Sequence, residues 1–344
     1  MNNKGKPLPT LFYQSQFFRR ITEENPIVLI DVGARGGIAH KWESLTDVIN
    51  VIGFEPDESE CKRLNEATES KHVYLPIALF NKKGKIKLNL TRNLACCSTF
   101  EPNYTLIERF LAAKDFEITS SIEVNCDTLD EVIKTTDVKD VDFIKLDTQG
   151  SELQILQGAE NVLSEFCVFG VEVEVEFSPL YRNQPLFADV DGFLQEKGFT
   201  LFDIKTPLGR KIRKTVQPNE SRDLKGQGLW TYALYFRDLV SEKSKCFDKF
   251  NLEKVVKAIA IAELHGFNDF ALELLDFYLN KGIITNSVYN NIRKMLLPYR
   301  KGKFNPELKL YLNIRRSLGE FLNDRLPFIH KLIAKNTKNQ NVKK

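Results

Sequence analysis

This sequence has few of the residues that build metal or redox centres. Four histidines are scattered along 344 residues, and the six cysteines (Cys61, Cys96, Cys97, Cys126, Cys167 and Cys246) show no Cys-x-x-Cys spacing. A zinc site of the usual cysteine–histidine kind is therefore not expected, and the thiols read as reduced residues of a cytoplasmic protein. No apolar run approaches the ~20 residues that span a bilayer, and the N-terminus lacks the signal-peptide order. Charge of neither sign dominates: 49 Lys+Arg stand against 46 Asp+Glu, for a net charge of +3. The basic stretches lack the interleaved aromatics of a single-strand platform, so nucleic acid is not an expected partner. The balance does hide an asymmetry, because residues 301–344 hold 11 Lys/Arg and 3 Asp/Glu. Lys331–Lys344 reads as a solvated basic tail, with weak contact to an anionic membrane surface as the alternative.

What is present is a dense pattern near the N-terminus. Ile27-Val-Leu-Ile-Asp-Val-Gly-Ala-Arg-Gly-Gly37 joins an apolar, β-branched run to a glycine turn. Val51-Ile-Gly-Phe-Glu-Pro-Asp57 follows as a second strand ending in a carboxylate. The order strand, glycine turn, helix, strand and acid builds a cleft for a nucleotide-type cofactor. Gly33, Gly36 and Gly37 let the backbone turn sharply and approach a ligand. The helix expected next offers free N–H groups to an anion. Glu55, at the tip of the second strand, is placed to accept ribose hydroxyls, with Pro56 beside it. Two cofactors compete for this pattern. Asp31 precedes the first glycine, which suits the cationic methionyl amine of S-adenosylmethionine and sits poorly beside a dinucleotide pyrophosphate.

Residues 27–240 alternate between strand-like and helix-like segments, the pattern of an α/β protein with a mostly parallel sheet. Strands are expected at Ile27–Asp31, Val51–Glu55, His72–Leu79, Val141–Asp147, Val168–Phe177, Thr200–Ile204 and Trp230–Phe236. Helices are expected at Ile38–Ile49, Glu58–Glu69, Gly150–Ser164 and Phe187–Lys197. Lys83-Gly84 reads as a hairpin turn. A helical lead-in over residues 1–26 carries the amphipathic stretch Leu11–Phe18, expected to dock on the core. Residues 245–335 show helical periodicity and read as a C-terminal helical domain bounded by Gly266, Gly282, Pro298 and Pro306. The basic tail is placed at 336–344.

A second cluster is Val141-Asp-Phe-Ile-Lys-Leu-Asp-Thr-Gln-Gly-Ser-Glu152. Alternation puts Phe143, Lys145 and Asp147 on one side of a strand, with Asp147 at the C-terminal end where open α/β sheets place their crevice. Glu152 falls in the first turn of the next helix, where it either caps that helix or takes part in the site. In Val171-Glu-Val-Glu-Val-Glu176 the glutamates share one face. Acids in a central strand need partners, and Lys145 is the nearest candidate. Magnesium between Asp147 and these glutamates would find hard oxygen ligands, though nothing in the spacing requires a metal.

In this order, Asp-Val-Gly-Ala-Arg-Gly-Gly, Gly-Phe-Glu-Pro-Asp and Ile-Lys-Leu-Asp-Thr-Gln-Gly-Ser-Glu resemble the FkbM family of S-adenosylmethionine-dependent methyltransferases, over about Ile27 to Phe202. The resemblance implies a class I, Rossmann-like sheet with an antiparallel last strand, S-adenosylmethionine as cofactor, and methylation of a hydroxyl on a sugar, glycan or glycan precursor. Carried onto this sequence, Gly33, Arg35 and Gly37 shape the donor loop, Asp31 faces the amino acid end, and Glu55 binds the ribose. Asp147 or Glu174 acts as the base that removes the acceptor proton, with Lys145 as runner-up and Glu172 beside them. Arg35 stands where many relatives carry Asn, and Gln149 where many carry Glu.

The loop from Lys205 to Gly228 is rich in cations, led by Arg210 and Arg213. With Glu176, these are the expected substrate contacts, suited to an anionic acceptor. Two other functions stay open. An NAD-dependent oxidoreductase of the short-chain kind needs Tyr-x-x-x-Lys within the sheet domain, and the pair at that spacing, Tyr299 and Lys303, falls in the helical region. The other is a non-catalytic binding module that keeps the fold. Oligomeric state is not legible.

Overall fold

Three strands set the frame. The run Ile27–Val32 is buried at every position, as a strand covered on both faces must be, and it pairs in parallel with Ile49–Phe54 and with Phe143–Leu146. The computed structural model describes residues 11–67, 72–216, 224–241 and 246–297. Residues 1–10 of the lead-in, Glu220, Arg222 and Asp223 of the basic loop, Pro298, Tyr299, Lys303, Pro306, and residues 298–344 with the expected tail lie outside the described residues.

The first half of the chain runs α1 (Gln16–Thr22), β1 (Ile27–Val32), β2 (Ile49–Phe54), α2 (Glu58–Glu66), β3 (Val73–Leu75), β4 (Ala78–Leu79), β5 (Gly84–Thr91), α3 (Tyr104–Ile107) and β6 (Ile118–Asp127). It continues α4 (Leu129–Lys134), β7 (Phe143–Leu146), α5 (Glu152–Gln157), α6 (Glu160–Glu165), β8 (Gly170–Glu176) and α7 (Phe187–Glu196). Then come β9 (Phe199–Ile204), β10 (Gly209–Lys211), β11 (Gln227–Arg237), α8 (Leu252–Leu264), α9 (Asn268–Asn280) and α10 (Asn286–Leu296). The main sheet has the order β10-β11-β8-β7-β1-β2-β3, with β9 also on β11. It is parallel from β3 to β8, and β11 runs antiparallel to β8. This is the α/β architecture the alternation predicts. A second sheet, β4-β6-β5, stands beside it.

Alternation along the strands divides the side chains between two layers. Val28, Ile30, Ile144, Leu146, Val171, Val173 and Val175 pack under α4 to α7. Ile27, Leu29, Phe143, Leu234 and Phe236 pack under α8 and α9. The lead-in joins that second layer through Phe12 and Phe18, both fully buried, and the N–H groups of Phe12 and Tyr13 donate to Glu263 of α8 at 3.0 and 2.9 Å.

Four local expectations are corrected. The helix expected over Ile38–Ile49 is a 3-10 turn, His40–Leu45, because β2 already begins at Ile49 in register with Ile27. The glycine turn takes the residues up to Ala39, which leaves too few before Ile49 for the expected helix. The strand expected over His72–Leu79 breaks at Pro76, and its halves join different sheets. Lys83-Gly84 is a turn, but the strands it separates are not paired; β5 pairs with β6 instead. The helix expected over Gly150–Ser164 splits between α5 and α6. At Gly158 a Cβ would sit 2.3 Å from the Phe80 carbonyl oxygen, and Asp130 caps the second half through the N–H groups of Asn161 and Val162.

The cysteine reading also needs correction. Cys167 and Cys246 form a disulfide across a sequence separation of 79, with Cα atoms 5.8 Å apart. Cys61, Cys96, Cys97 and Cys126 remain thiols. Among the described residues no helix is long and apolar enough to cross a membrane.

Candidate active site

The tips of β1, β2, β7, β8 and β11 meet around a cavity of about 1070 Å³, closed on its far side by the second sheet. The chain after β1 turns at Gly33, whose φ is 76°. A Cβ there would lie 2.0 Å from the Asp147 carbonyl oxygen, so the close approach of the β1 and β7 loops requires glycine. The N–H groups of Gly33 and Ala34 both donate to the Phe54 carbonyl at 3.1 Å, which ties the turn to β2.

At the tip of β2, Glu55 is 5% exposed yet lines the cavity. Its Oε1 accepts from the Asp57 N–H at 2.9 Å and lies 3.6 Å from Arg35 Nη2. Burial raises its pKa, opposed by the Asp57 N–H and the Arg35 charge. Arg35 also pairs with Asp57 Oδ2 at 2.7 Å. Asp57 in turn caps α2 through the N–H groups of Ser59 and Glu60. Gly33, Arg35, Glu55 and Pro56 thus line one cavity. Gly37 does not line the cavity, and the free N–H groups expected there are partly used, since Gly36 N donates to Glu60 Oε1 at 2.9 Å.

Beneath this rim, Lys145 Nζ lies 3.1 Å from Asp31 Oδ1 and 3.8 Å from Asp147 Oδ2, and donates to the Gly33 carbonyl at 3.3 Å. Burial lowers the Lys145 pKa, but Asp31 and then Asp147 outweigh it, and the net direction is up. Asp31, expected at the amino acid end of the cofactor, is 2% exposed and does not line the cavity; its charge meets Lys145. Lys145 likewise lies behind the lining.

Asp147 and Glu174 do face the cavity. Asp147 Oδ2 accepts from the Tyr232 hydroxyl at 2.6 Å, and Oδ1 accepts from Gln149 Nε2 at 3.3 Å. The same Gln149 amide donates to Glu174, while the Tyr181 hydroxyl donates to the Cys96 carbonyl at 2.9 Å and lies 3.5 Å from Gln149 Oε1. Gln149 holds this place with φ at 59°, a strained conformation for a residue with a side chain. Burial, then the charge of Asp147, pushes the Glu174 carboxyl well above its usual range. Burial and then Glu152 do the same to Glu176. Glu152 itself proves to be a brace: Oε1 accepts from the Thr148 N–H at 2.7 Å and its hydroxyl at 2.9 Å, and Oε2 from the Gly150 N–H at 2.9 Å.

Several expected contacts are placed elsewhere. Glu172 does not take Lys145 as its partner but pairs with Lys41, outside the cavity. Arg210 donates to the Gly226 carbonyl at 3.1 Å, and Arg213 donates to Gln227 while its guanidinium stacks 4.3 Å from the Phe110 ring. Both arginines hold the hairpin together, and neither lines the cavity. Lys211 and Arg35 are the cationic residues in the lining among the described residues. No group of three or more His, Cys, Asp or Glu side chains among the described residues converges to hold a metal ion.

Tyr232, Trp230 and Tyr181 are site residues that the sequence reading missed. Register pairs Tyr232 with Glu174 and Trp230 with Glu176 across β11 and β8, so each acid has an aromatic neighbour. The available signal was the alternation Trp230, Tyr232, Leu234, Phe236 next to the alternating glutamates, but register between distant strands is not written in either one.

A family model described as a methyltransferase FkbM domain matches residues 31–201. No curated protein matches the chain. Similar solved structures include a methyltransferase FkbM from Methylobacillus flagellatus KT, at 15% identity over 65% of this chain and 47% of that one, with a TM-score of 0.35. Another is magnesium protoporphyrin IX methyltransferase from Synechocystis PCC 6803 with bound S-adenosylmethionine, at 10% identity, 66% and 80% coverage, and a TM-score of 0.31. A TehB-like methyltransferase from Corynebacterium glutamicum ATCC 13032 follows at 10% identity, 68% and 91% coverage, and a TM-score of 0.30. The chain spans less than two thirds of the first of these, 47% of its length. The family match runs from Asp31 at the tip of β1 to Leu201 in β9 and takes in most of the cavity described above; through this stretch the chain belongs to the methyltransferase FkbM domain family.

Proposed function

We propose that the chain is an S-adenosylmethionine-dependent O-methyltransferase whose acceptor hydroxyl belongs to a sugar, a glycan or a glycan precursor. The observation that carries this reading is the pairing of two unlike ends in one cavity: Glu55 with Arg35 at the tip of β2, and Asp147 with Tyr232 at the tips of β7 and β11. The first end fits the donor. Glu55 offers a buried, cavity-facing carboxylate to ribose hydroxyls, and Gly33 keeps the floor free of side chains.

When bound, S-adenosylmethionine supplies an electrophilic methyl group on a sulfonium. The chain's own residues then have three tasks. Gly33, Glu55 and Pro56 hold the donor end, and orientation supplies much of the rate. Asp147 takes the acceptor proton at Oδ2, the oxygen that Tyr232 already orients. Glu174 is the weaker base candidate, because the Gln149 amide already engages its carboxyl and burial, then the charge of Asp147, disfavours its ionised form.

The acceptor end is acidic and aromatic. Trp230 beside Glu176 and Tyr232 beside Glu174 line this end, with Lys211 over the Trp230 ring and Lys205 over the Tyr232 ring, and the indole, hydroxyl and carboxyl groups suit the hydroxyls of a polyol. An anionic acceptor gripped by Arg210 and Arg213 finds no support, since both guanidinium groups are engaged in the hairpin. A cytoplasmic setting remains part of this reading, with the Cys167–Cys246 disulfide as the observation against it.

Calorimetry with S-adenosylhomocysteine and with NAD⁺ tests the donor, and labelled methyl transfer from S-adenosylmethionine to neutral glycosides tests the acceptor. Affinity for the first ligand alone, with label recovered as a base-stable ether, is the expected result. Affinity for NAD⁺ alone would overturn the reading, and donor binding with no transfer would leave a non-catalytic module.

A further inference from the structure

We infer that Lys41 and His265 are positioning residues of this site, acting from outside the cavity by meeting the charge of Glu172 so that Lys145 stays with Asp31 and Asp147. The inference rests on the methyltransferase reading above. Across three neighbouring parallel strands, Asp31, Lys145 and Glu172 are register partners. Their side chains share one face of the sheet, and Asp147 follows on the same face one alternation further along β7. Lys145 therefore has three carboxylates within its neighbourhood, and one ammonium cannot serve all of them. It lies with Asp31 at 3.1 Å and Asp147 at 3.8 Å.

Glu172 is satisfied from the other side. Lys41, carried by the turn His40–Leu45 that follows the donor loop, forms an ion pair with it. The Lys41 ammonium is also 3.1 Å from His265 Nε2, while His265 Nδ1 lies 2.9 Å from the Ile261 carbonyl. A carbonyl can only accept, so the proton of the neutral ring sits on Nδ1 and Nε2 accepts from Lys41. The ring is kept neutral by its setting. It stacks on Phe143 at 5.2 Å and meets Trp42 and Phe236 edge-on at 5.7 Å each. Burial, then Lys41, lowers its pKa to about 4. A neutral acceptor holds the ammonium without competing for Glu172. Burial alone would raise the Glu172 pKa, but Lys41 outweighs it, and the carboxyl stays ionised.

His265 caps α8 and lies beyond the matched residues 31–201. The C-terminal helices thereby reach the catalytic row through one imidazole. Losing Lys41 takes the ion-pair partner from buried Glu172 and leaves Lys205 and Lys145 as the cations acting on it. Lys145 then shifts toward Glu172 and away from Asp147.

The test compares Lys41→Met, His265→Phe and the double variant Lys41→Met/Glu172→Gln with the wild-type full chain. The charged and titratable groups facing Lys41 are Glu172, His265, Lys205 and Lys145, so pH is scanned for all variants. Three readouts are taken: affinity for S-adenosylhomocysteine, the pH profile of labelled methyl transfer, and the 13Cε resonance of Lys145. In Lys41→Met, transfer should fall ~10-fold or more with a displaced pH profile and a shifted Lys145 resonance, while affinity stays within ~3-fold. The double variant should restore the transfer rate, its pH profile and the Lys145 resonance, because Glu172→Gln removes the charge that needs a partner. Lys145 unmoved in Lys41→Met, or a double variant as impaired as the single, overturns the inference. If Lys41→Met does not fold, His265→Phe carries the test: it keeps the ring stack and deletes the acceptor, so transfer should fall with a shifted Lys145 resonance, and an unmoved Lys145 overturns the inference. Failure of the methyltransferase reading shows separately, as a wild-type chain without affinity for S-adenosylhomocysteine.

Discussion

The two faces of the central sheet are built from the same strands and have opposite chemistry. Toward α4 to α7, every strand offers aliphatic residues, from Val28 and Ile30 through Ile144 and Leu146 to Val171, Val173 and Val175. Toward α8 and α9, the same parallel strands begin apolar, at Ile27, Leu29 and Phe143, and end ionisable, at Asp31, Lys145, Asp147, Glu172, Glu174 and Glu176. One face serves only cohesion. The other changes from cohesion to chemistry along its length, and the helices cover only its apolar part. The difference teaches that the site draws its stability from the face that takes no part in it, since buried charges on the other face must be balanced one by one.

Substitutions on adjacent residues of β8 and its neighbours break or sharpen this comparison. The largest effect is expected from Val173→Asp, which puts an unpaired carboxylate among aliphatic side chains. A loss of roughly 3–5 kcal/mol should appear as a lowered denaturation midpoint; wild-type stability would sink the idea that this face tolerates no charge. Next is Asp147→Asn, where transfer should fall about 10²- to 10⁴-fold with the fold and donor affinity kept. Retained activity would move the base elsewhere. Glu55→Ala should weaken S-adenosylhomocysteine binding about 10- to 100-fold in calorimetry, by loss of hydrogen bonds to a charged group.

The last effect is on pH dependence. Burial, then Asp147, raises the Glu174 pKa above its ordinary 4.5. Between the unfolded and folded values the native state holds the extra proton, so its stability falls as pH rises through that window. Glu174→Gln has no proton to lose and should melt higher than wild type at pH 8 but not at pH 4. The gain is about 1.4 kcal/mol for each unit the folded pKa stands above the unfolded one, up to the working pH. Equal melting differences at both pH values would mean that the carboxyl is not strained by burial.

Much of this was legible in the chain. The strand expected at Ile27–Asp31, the Gly33 turn, the tip acid Glu55 and the placement of Asp147 follow from local patterns: apolar runs, glycine and strand alternation. The partners did not follow. Lys145 was the expected mate of the β8 glutamates, yet Glu172 found Lys41, because the turn after the donor loop brings a second ammonium to that edge. Arg210 and Arg213 read as ligand-binding cations, but a hairpin must satisfy its own carbonyls and amides first. The helix expected at Ile38–Ile49 failed because the glycine turn takes the residues before His40 and β2 already begins at Ile49, in register with Ile27.

By itself, then, the order of residues determined the strands, their two-sided alternation, the glycine turn and the acids at the strand tips. These depend on backbone sterics and on a period of two, which operate within a few residues. Tertiary structure alone decided which charge meets which: Lys145 between Asp31 and Asp147, Tyr232 on Asp147, His265 behind Lys41, and Cys167 with Cys246. Those choices depend on distances between segments far apart in the chain, which no local pattern encodes and only the closed core sets.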